Sequence, residues 1–167
     1  SFLGPCHSAI YSQHAFLVYK IVVTAQAAKS IVVDAKNWSH NLPKMFDSIQ
    51  DNTQLVFIAN PNNPTGTFTK LNEIYNFMES IPKNILVVID EAYFEYVNSD
   101  GYGSALSLIA QFPNIIVTRS FSKAYGLAAL RIGYSISHPD IAELLNRVRQ
   151  PFNVNSLALV SATAILD

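Results

Sequence analysis

Ser120-Phe121-Ser122-Lys123-Ala124-Tyr125-Gly126-Leu127-Ala128-Ala129-Leu130-Arg131 joins two strand-like segments, and its length decides how they pair. The preceding segment, Asn114-Ile115-Ile116-Val117-Thr118-Arg119, is apolar and β-branched; the following one is Arg131-Ile132-Gly133-Tyr134-Ser135-Ile136-Ser137. Parallel neighbours need a connection of a dozen or more residues, commonly a helix. There is little room for one here, so residues 131–137 should run antiparallel to the strands before them. The linker also carries chemistry. A lysine in a largely uncharged run is poorly hydrated, and desolvation disfavours the ammonium form and favours the nucleophilic amine. Ser120, Ser122 and Arg131 have the donors to hold a phosphate, the guanidinium in bidentate fashion. Such a lysine suits a Schiff base with a phosphorylated aldehyde. The alternative is a plain strand-to-loop turn with a solvated lysine.

Upstream, apolar strands alternate with helical patterns. Ser8–Ser12 is a short strand, and Phe16–Ala28 reads as a helix in which Phe16 and Tyr19, at helical spacing, are core positions. Ser30–Asp34 is a strand; Leu42, Met45, Phe46 and Ile49 share a helical face, with Asn41 as N-cap. Leu55–Ala59 is a continuous apolar run, as in a buried parallel strand. It enters the turn cluster Asn60-Pro61-Asn62-Asn63-Pro64-Thr65-Gly66. Thr69 then opens a helix with Ile74, Phe77, Met78 and Ile81 on one face. Ile85–Ile89 is the next strand and ends at Asp90-Glu91-Ala92-Tyr93. A short helix around Ser104–Ile109 precedes the strand Ile115–Thr118. Ser137 and Pro139 start a helix carrying Ile141, Leu144, Leu145 and Val148; Pro151–Asn155 is a loop, and Ser156–Leu166 a last helix.

This order predicts an α/β domain, three layers with a mostly parallel sheet and one antiparallel strand. Ligands of such sheets bind at the carboxyl edge of the strands. Three polar clusters fall there: Asn60–Gly66, Asp90–Tyr93 and Ser120–Arg131. A carboxylate at the end of an apolar strand, as at Asp90, is costly unless paired. A protonated pyridine nitrogen is one partner; a helix cap or a magnesium ligand is the alternative. Asn63 and Tyr93 can donate to a phenolic ring oxygen, or can serve only in a turn and in packing.

The 167 residues fit one domain at most, half of them hydrophobic and only 14% charged, with a net charge of −1. That balance gives no reason to expect nucleic acid or an anionic membrane as partner. No run reaches membrane-spanning length, and the start lacks the order of a signal peptide. The single Cys6 excludes an internal disulfide and reads as inert. His7, His14, His40 and His138 lack metal-ligand spacing, and loop or surface roles are expected. Neither Gly-x-x-x-x-Gly-Lys-Ser/Thr nor a strand-linked Gly-x-Gly-x-x-Gly is present, which argues against a nucleotide-binding module. Ser1–Pro5 reads as a helix end and a turn, Asp167 closes an apolar pattern without a cap, and both ends suggest an excerpt.

Taken together, Asn60–Gly66, Asp90–Tyr93 and Ser120–Gly126 with Arg131 resemble the fold-type I pyridoxal-phosphate aminotransferases, specifically the histidinol-phosphate aminotransferase family; Arg147–Asn155 is also similar to it. The resemblance covers essentially the whole chain. It implies that residues 1–167 are the middle of the family's large domain, with the N-terminal arm and the C-terminal small domain absent, and that the excerpt is not active alone. It also implies pyridoxal 5'-phosphate as cofactor, with Lys123 as Schiff-base lysine and proton shuttle and Asp90 paired with the pyridinium nitrogen. Asn63 and Tyr93 would bind the phenolic oxygen, Ser120, Ser122 and Arg131 the phosphate, and Phe16 would stack on the ring. The Asn63–Pro64 bond would be cis. The implied reaction converts histidinol phosphate and 2-oxoglutarate to imidazole-acetol phosphate and glutamate, in a cytoplasmic homodimer of histidine biosynthesis. An aromatic aminotransferase, a decarboxylase of the same fold, a non-catalytic phosphate-binding module and a folded remnant that binds nothing stay open. The family's glycine-rich phosphate segment is missing, Cys6 stands where it usually has glycine, and His14 where it often has tyrosine.

Overall fold

The computed structural model describes residues 2–166. Ser1 and Asp167, and the expectations placed on them, lie outside the described residues. Residues 2–4 are not helical, against the expected helix end; the expected turn follows at Pro5–Cys6, where His7 N–H donates to Gly4 C=O at 2.9 Å.

Six strands form one sheet: β1 (Ser8–Ser12), β2 (Lys29–Val33), β3 (Thr53–Ala59), β4 (Leu86–Asp90), β5 (Ile115–Ser120) and β6 (Gly133–Ser137), in the order β2-β1-β3-β4-β5-β6. The first five are parallel, and β6 alone runs antiparallel against β5. The short linker after Ser120 therefore has the predicted consequence. Gly133 is required at that seam: a Cβ there would lie 2.7 Å from the Arg119 carbonyl oxygen.

Helices cover both faces, α1 (Leu17–Ala25) on one and α2 (Leu42–Asp47) with α3 (Leu71–Ser80) on the other. The two-residue period of β3 explains why both are needed. Val56 and Ile58 point into the cluster with Met45, Ile74 and Met78; Leu55, Phe57 and Ala59 face Tyr19 and Val23 of α1. Beyond β6 lie α4 (Pro139–Val148) and α5 (Ser156–Leu166), where Ala158 and Ala162 pack on Phe121 and Ile132.

Helix ends depart from expectation in detail. The Asn41 side chain caps α2, accepting from Lys44 N–H at 3.3 Å, as read. Thr69 does not open α3. Its backbone is held by the buried Asn60 side chain, which accepts from Thr69 N–H at 2.8 Å and donates to Thr69 C=O at 3.0 Å. The helix starts two residues later, where Glu73 accepts the Lys70 N–H. His138, not Ser137, caps α4, its ring accepting from Asp140 N–H. The Ser104–Ile109 segment is a 3₁₀ turn at Ala105–Leu108. His40 is not at the surface: it is buried, its Nε2 2.8 Å from the Ala59 carbonyl oxygen, and burial holds its pKa below the usual 6.5. Its Nε2 donates to that carbonyl, so the neutral ring suffices.

Candidate active site

Adjacent strands end in step. Ala59 pairs with Asp90, and Asp90 with Thr118, so the segments after β3, β4 and β5 leave the sheet at one edge. Backbone bonds extend the alignment past the strands: Asn60 N–H donates to Asp90 C=O at 2.8 Å and Glu91 N–H to Thr118 C=O at 2.9 Å. β2 and β3 pair with β1 on opposite sides, so the connections reverse direction there and the edge has its switch point beside β1.

Phe16, Tyr19, Ala59, Pro61, Asn63, Asp90, Ala92, Tyr93 and Lys123 line a cleft of about 60 Å³ at this edge. Five of the eight candidate residues thus meet there: Phe16, Asn63, Asp90, Tyr93 and Lys123. The other three do not line it: Ser120 ends β5, and Ser122 and Arg131 lie on the loop that carries Lys123. Larger cavities, of about 520 Å³ between α2 and α3 and about 640 Å³ beside Leu71, Tyr75 and Tyr102, include none of the eight. Chemistry and volume therefore point to different places, and the converging acid and amine decide for the smaller one.

Each side chain has a local cause. The Asn60–Gly66 loop is pinned by Asn62, whose amide donates to His14 C=O at 3.0 Å and to Thr65 Oγ1 at 2.8 Å. This ties it to the β1–α1 connection that carries Phe16. Asn63–Pro64 is cis, as expected, and so is Asn60–Pro61, which was not. The Asn63 amide donates to the Tyr93 hydroxyl at 3.4 Å, so the two groups proposed for one ring oxygen are neighbours. Asp90 ends β4 half-buried; one carboxylate oxygen accepts Ala92 N–H at 3.1 Å and the other the Tyr19 hydroxyl at 2.8 Å.

Ser120 Oγ accepts Ser122 N–H at 3.0 Å and shapes the turn into Lys123. Gly126 closes that turn at φ +71°, donating to Lys123 C=O at 3.0 Å. Arg131 adopts a left-handed backbone (φ 54°) and donates to Ala128 C=O at 2.7 Å and to Ser122 Oγ at 3.5 Å. Lys123 Nζ lies 5.1 Å from the centroid of the Tyr93 ring. The lysine is exposed, against the expectation of a poorly hydrated one, because the loop leaves the sheet toward solvent and its small neighbours Ala124, Gly126, Ala128 and Ala129 are exposed too.

Phe16 is not core. It is 40% exposed, at the N-cap of α1, edge-on to Tyr19. Tyr19 is buried, as read, but its hydroxyl bond to Asp90 has no counterpart in the sequence reading. Burial, then the Asp90 charge, holds that hydroxyl far above the usual tyrosine range, so it is the donor. Also missed is the network behind Asp90. Glu91, 1% exposed, accepts from Arg119 Nη2 at 2.7 Å, Arg119 Nε at 3.0 Å, Ser104 Oγ at 2.8 Å and Ala105 N–H at 2.7 Å. Arg119 also lies over the Phe94 ring at 3.9 Å, which steadies the segment that carries Tyr93. Among the described residues no His, Cys, Asp and Glu side chains cluster as metal ligands, and no helix is long and apolar enough to cross a membrane.

This doubly covered, mostly parallel sheet with one antiparallel strand is the fold shared with the fold-type I pyridoxal-phosphate aminotransferases. The family model for aminotransferase class I and II matches residues 6–167, and the chain belongs to that family. It is 54% identical over 167 residues to histidinol-phosphate aminotransferase 2 of Pseudomonas fluorescens, and 51% identical over 165 residues to histidinol-phosphate aminotransferase 1 of Nitrosococcus oceani. It covers 45% of each of these relatives, while they match 100% and 99% of it. The crystal structure of histidinol-phosphate aminotransferase from Sinorhizobium meliloti, in complex with pyridoxal-5'-phosphate, superposes with a TM-score of 0.91 at 30% identity, over 98% of this chain and 45% of that one.

Proposed function

We propose that the protein is a pyridoxal-phosphate-dependent aminotransferase that moves the amino group of histidinol phosphate to 2-oxoglutarate, giving imidazole-acetol phosphate and glutamate. The observation that carries this reading is the meeting of Asp90 and Lys123, 33 positions apart by number (123 minus 90), in one cleft of a family member. Identities of 54% and 51% to histidinol-phosphate aminotransferases support the substrate.

The residues fit the cofactor. The Asp90 carboxylate uses one lone pair on each oxygen, for Tyr19 and Ala92, and retains acceptor capacity for a ring N–H. Asn63 and Tyr93 lie side by side, Asn63 donating to the Tyr93 hydroxyl at 3.4 Å, and each has a further hydrogen to offer a ring oxygen. Ser120, Ser122 and Arg131 supply hydroxyls and a guanidinium for a phosphate, and Phe16 an apolar wall. When bound, pyridoxal 5'-phosphate supplies an aldehyde that takes up amino groups and a ring that draws off electrons.

In this reading Asp90 keeps a proton on the ring nitrogen by facing it with negative charge. Lys123 would take the proton from the substrate carbon that bears the amine and return it to the cofactor carbon on the other side of the shared nitrogen, base first and acid second. Phe16 would offer an apolar face against the ring.

The same reading makes the full-length protein a cytoplasmic homodimer. The exposed apolar residues Leu17, Val18, Ile21 and Val22 of α1 and Leu157, Leu159 and Val160 of α5 support extensive further contact. Histidinol phosphate and phenylalanine, presented in turn to the cofactor-loaded protein at natural full length, test the function through the cofactor's absorption. Rapid spectral conversion with histidinol phosphate is expected; conversion by phenylalanine alone would reassign the substrate, and conversion by neither would overturn the reading.

A further inference from the structure

We infer that Tyr19 is a positioning residue for Asp90: its hydroxyl fixes the carboxylate in the orientation that meets the cofactor's ring nitrogen. The inference rests on the functional reading above and adds to it a residue outside the three motif clusters.

The geometry is specific. The Tyr19 hydroxyl donates to Asp90 Oδ2 at 2.8 Å across 71 positions of sequence. The ring is held on three sides. It stacks on Phe57 at 4.8 Å and 10°, meets Phe16 edge-on at 6.0 Å, and lies 6.5 Å from Tyr11. It is 5% exposed, so its hydroxyl has little freedom to leave the carboxylate for water. Asp90 is half-buried, and without Tyr19 only the Ala92 N–H would restrain its side chain. A carboxylate free to rotate loses part of its hold on a ring N–H, because such bonds need alignment.

Position on α1 adds a second link. Phe16 at the N-cap and Tyr19 three residues on lie one helical turn apart and line the same cleft. One turn of one helix would therefore serve both the face of the ring, through Phe16, and the acid at its nitrogen, through Tyr19. Tyr19 also stacks on Phe57 of β3, next but one to the Ala59 that pairs with Asp90. The helix is thus registered directly against the strands that carry the acid.

The test uses the protein at natural full length, stripped of cofactor and titrated with pyridoxal 5'-phosphate, in wild-type, Tyr19→Phe, Asp90→Ala and double-variant forms. Tyr19→Phe keeps the stacked ring and removes only the hydroxyl. It should weaken cofactor binding by about tenfold, the worth of one charge-assisted hydrogen bond. Asp90→Ala should weaken binding further, and Tyr19→Phe should add less than about twofold in that background, because it acts through the acid. With ¹⁵N-labelled cofactor, the ring-nitrogen resonance should move toward the unprotonated position in Tyr19→Phe; this second readout needs no Asp90 variant. Loss in Asp90→Ala with unchanged affinity and resonance in Tyr19→Phe would overturn the inference alone, as would full additivity of the two losses. Unchanged binding in Asp90→Ala would instead overturn the functional reading.

Discussion

Glu91 and Arg119 form a buried ion pair one residue behind Asp90, with Arg119 Nη2 2.7 Å from Glu91 Oε2 and the two side chains 1% and 13% exposed. The pair fastens the segment after β4 to β5, and so holds the acid and the lysine loop in fixed relation. Removing the arginine would leave a carboxylate with only Ser104 and Ala105 as donors. Arg119→Met should lower stability by about 3 kcal/mol, the cost of an uncompensated buried charge. Arg119→Met with Glu91→Leu should recover part of it. Denaturant titration of the two variants measures both effects.

Gly133 predicts a geometric failure at the β5–β6 seam. A Cβ 2.7 Å from the Arg119 carbonyl oxygen forces backbone to move. Gly133→Ala should cost about 1–3 kcal/mol, as overpacking does. It should also weaken cofactor binding, because Arg131 lies two residues before the displaced position. Thermal unfolding and cofactor titration check the two halves separately.

His40 makes stability depend on pH. Burial lowers its folded-state pKa below the usual 6.5, so the unfolded chain binds this proton more readily than the folded one. Stability from this group is full above about pH 6.5 and is lost as pH falls below it, since there the unfolded state gains the proton first. His40→Gln keeps a donor for Ala59 and cannot titrate. Denaturation midpoints from pH 7.5 down to about 5 should fall less steeply in the variant than in the wild type.

Arg131 predicts that charge alone does not hold the phosphate. Its guanidinium, braced by Ala128 C=O, is a planar fork that a lysine cannot reproduce. Arg131→Lys should weaken pyridoxal 5'-phosphate by about tenfold while leaving affinity for unphosphorylated pyridoxal nearly unchanged. Equilibrium titration with the two aldehydes gives the comparison.

Much of this was legible in residue order. The antiparallel β6 follows from the short linker, the three clusters at one edge follow from the rule for parallel strands, and the Asn41 cap follows from its place before Leu42. The resemblance to a known family supplied the role of each residue, which spacing alone left open. What could not be read depends on register. Glu91 and Arg119 are 28 apart and meet only because β4 and β5 pair as they do. Tyr19 at helical spacing looks the same whether its hydroxyl meets water or a carboxylate. Thr69 looks like a cap until Asn60 claims its backbone, and the hydration of Lys123 depends on how far its loop departs from the sheet.

The central claim is that Lys123 is the residue that takes up the cofactor aldehyde. The protein at natural full length, incubated with pyridoxal 5'-phosphate, reduced with borohydride and digested, gives a direct answer by mass spectrometry. The account predicts one stable pyridoxyl adduct, on the peptide containing Lys123 and absent from Lys123→Ala. An adduct at another lysine, or none at Lys123 under saturating cofactor, would contradict it.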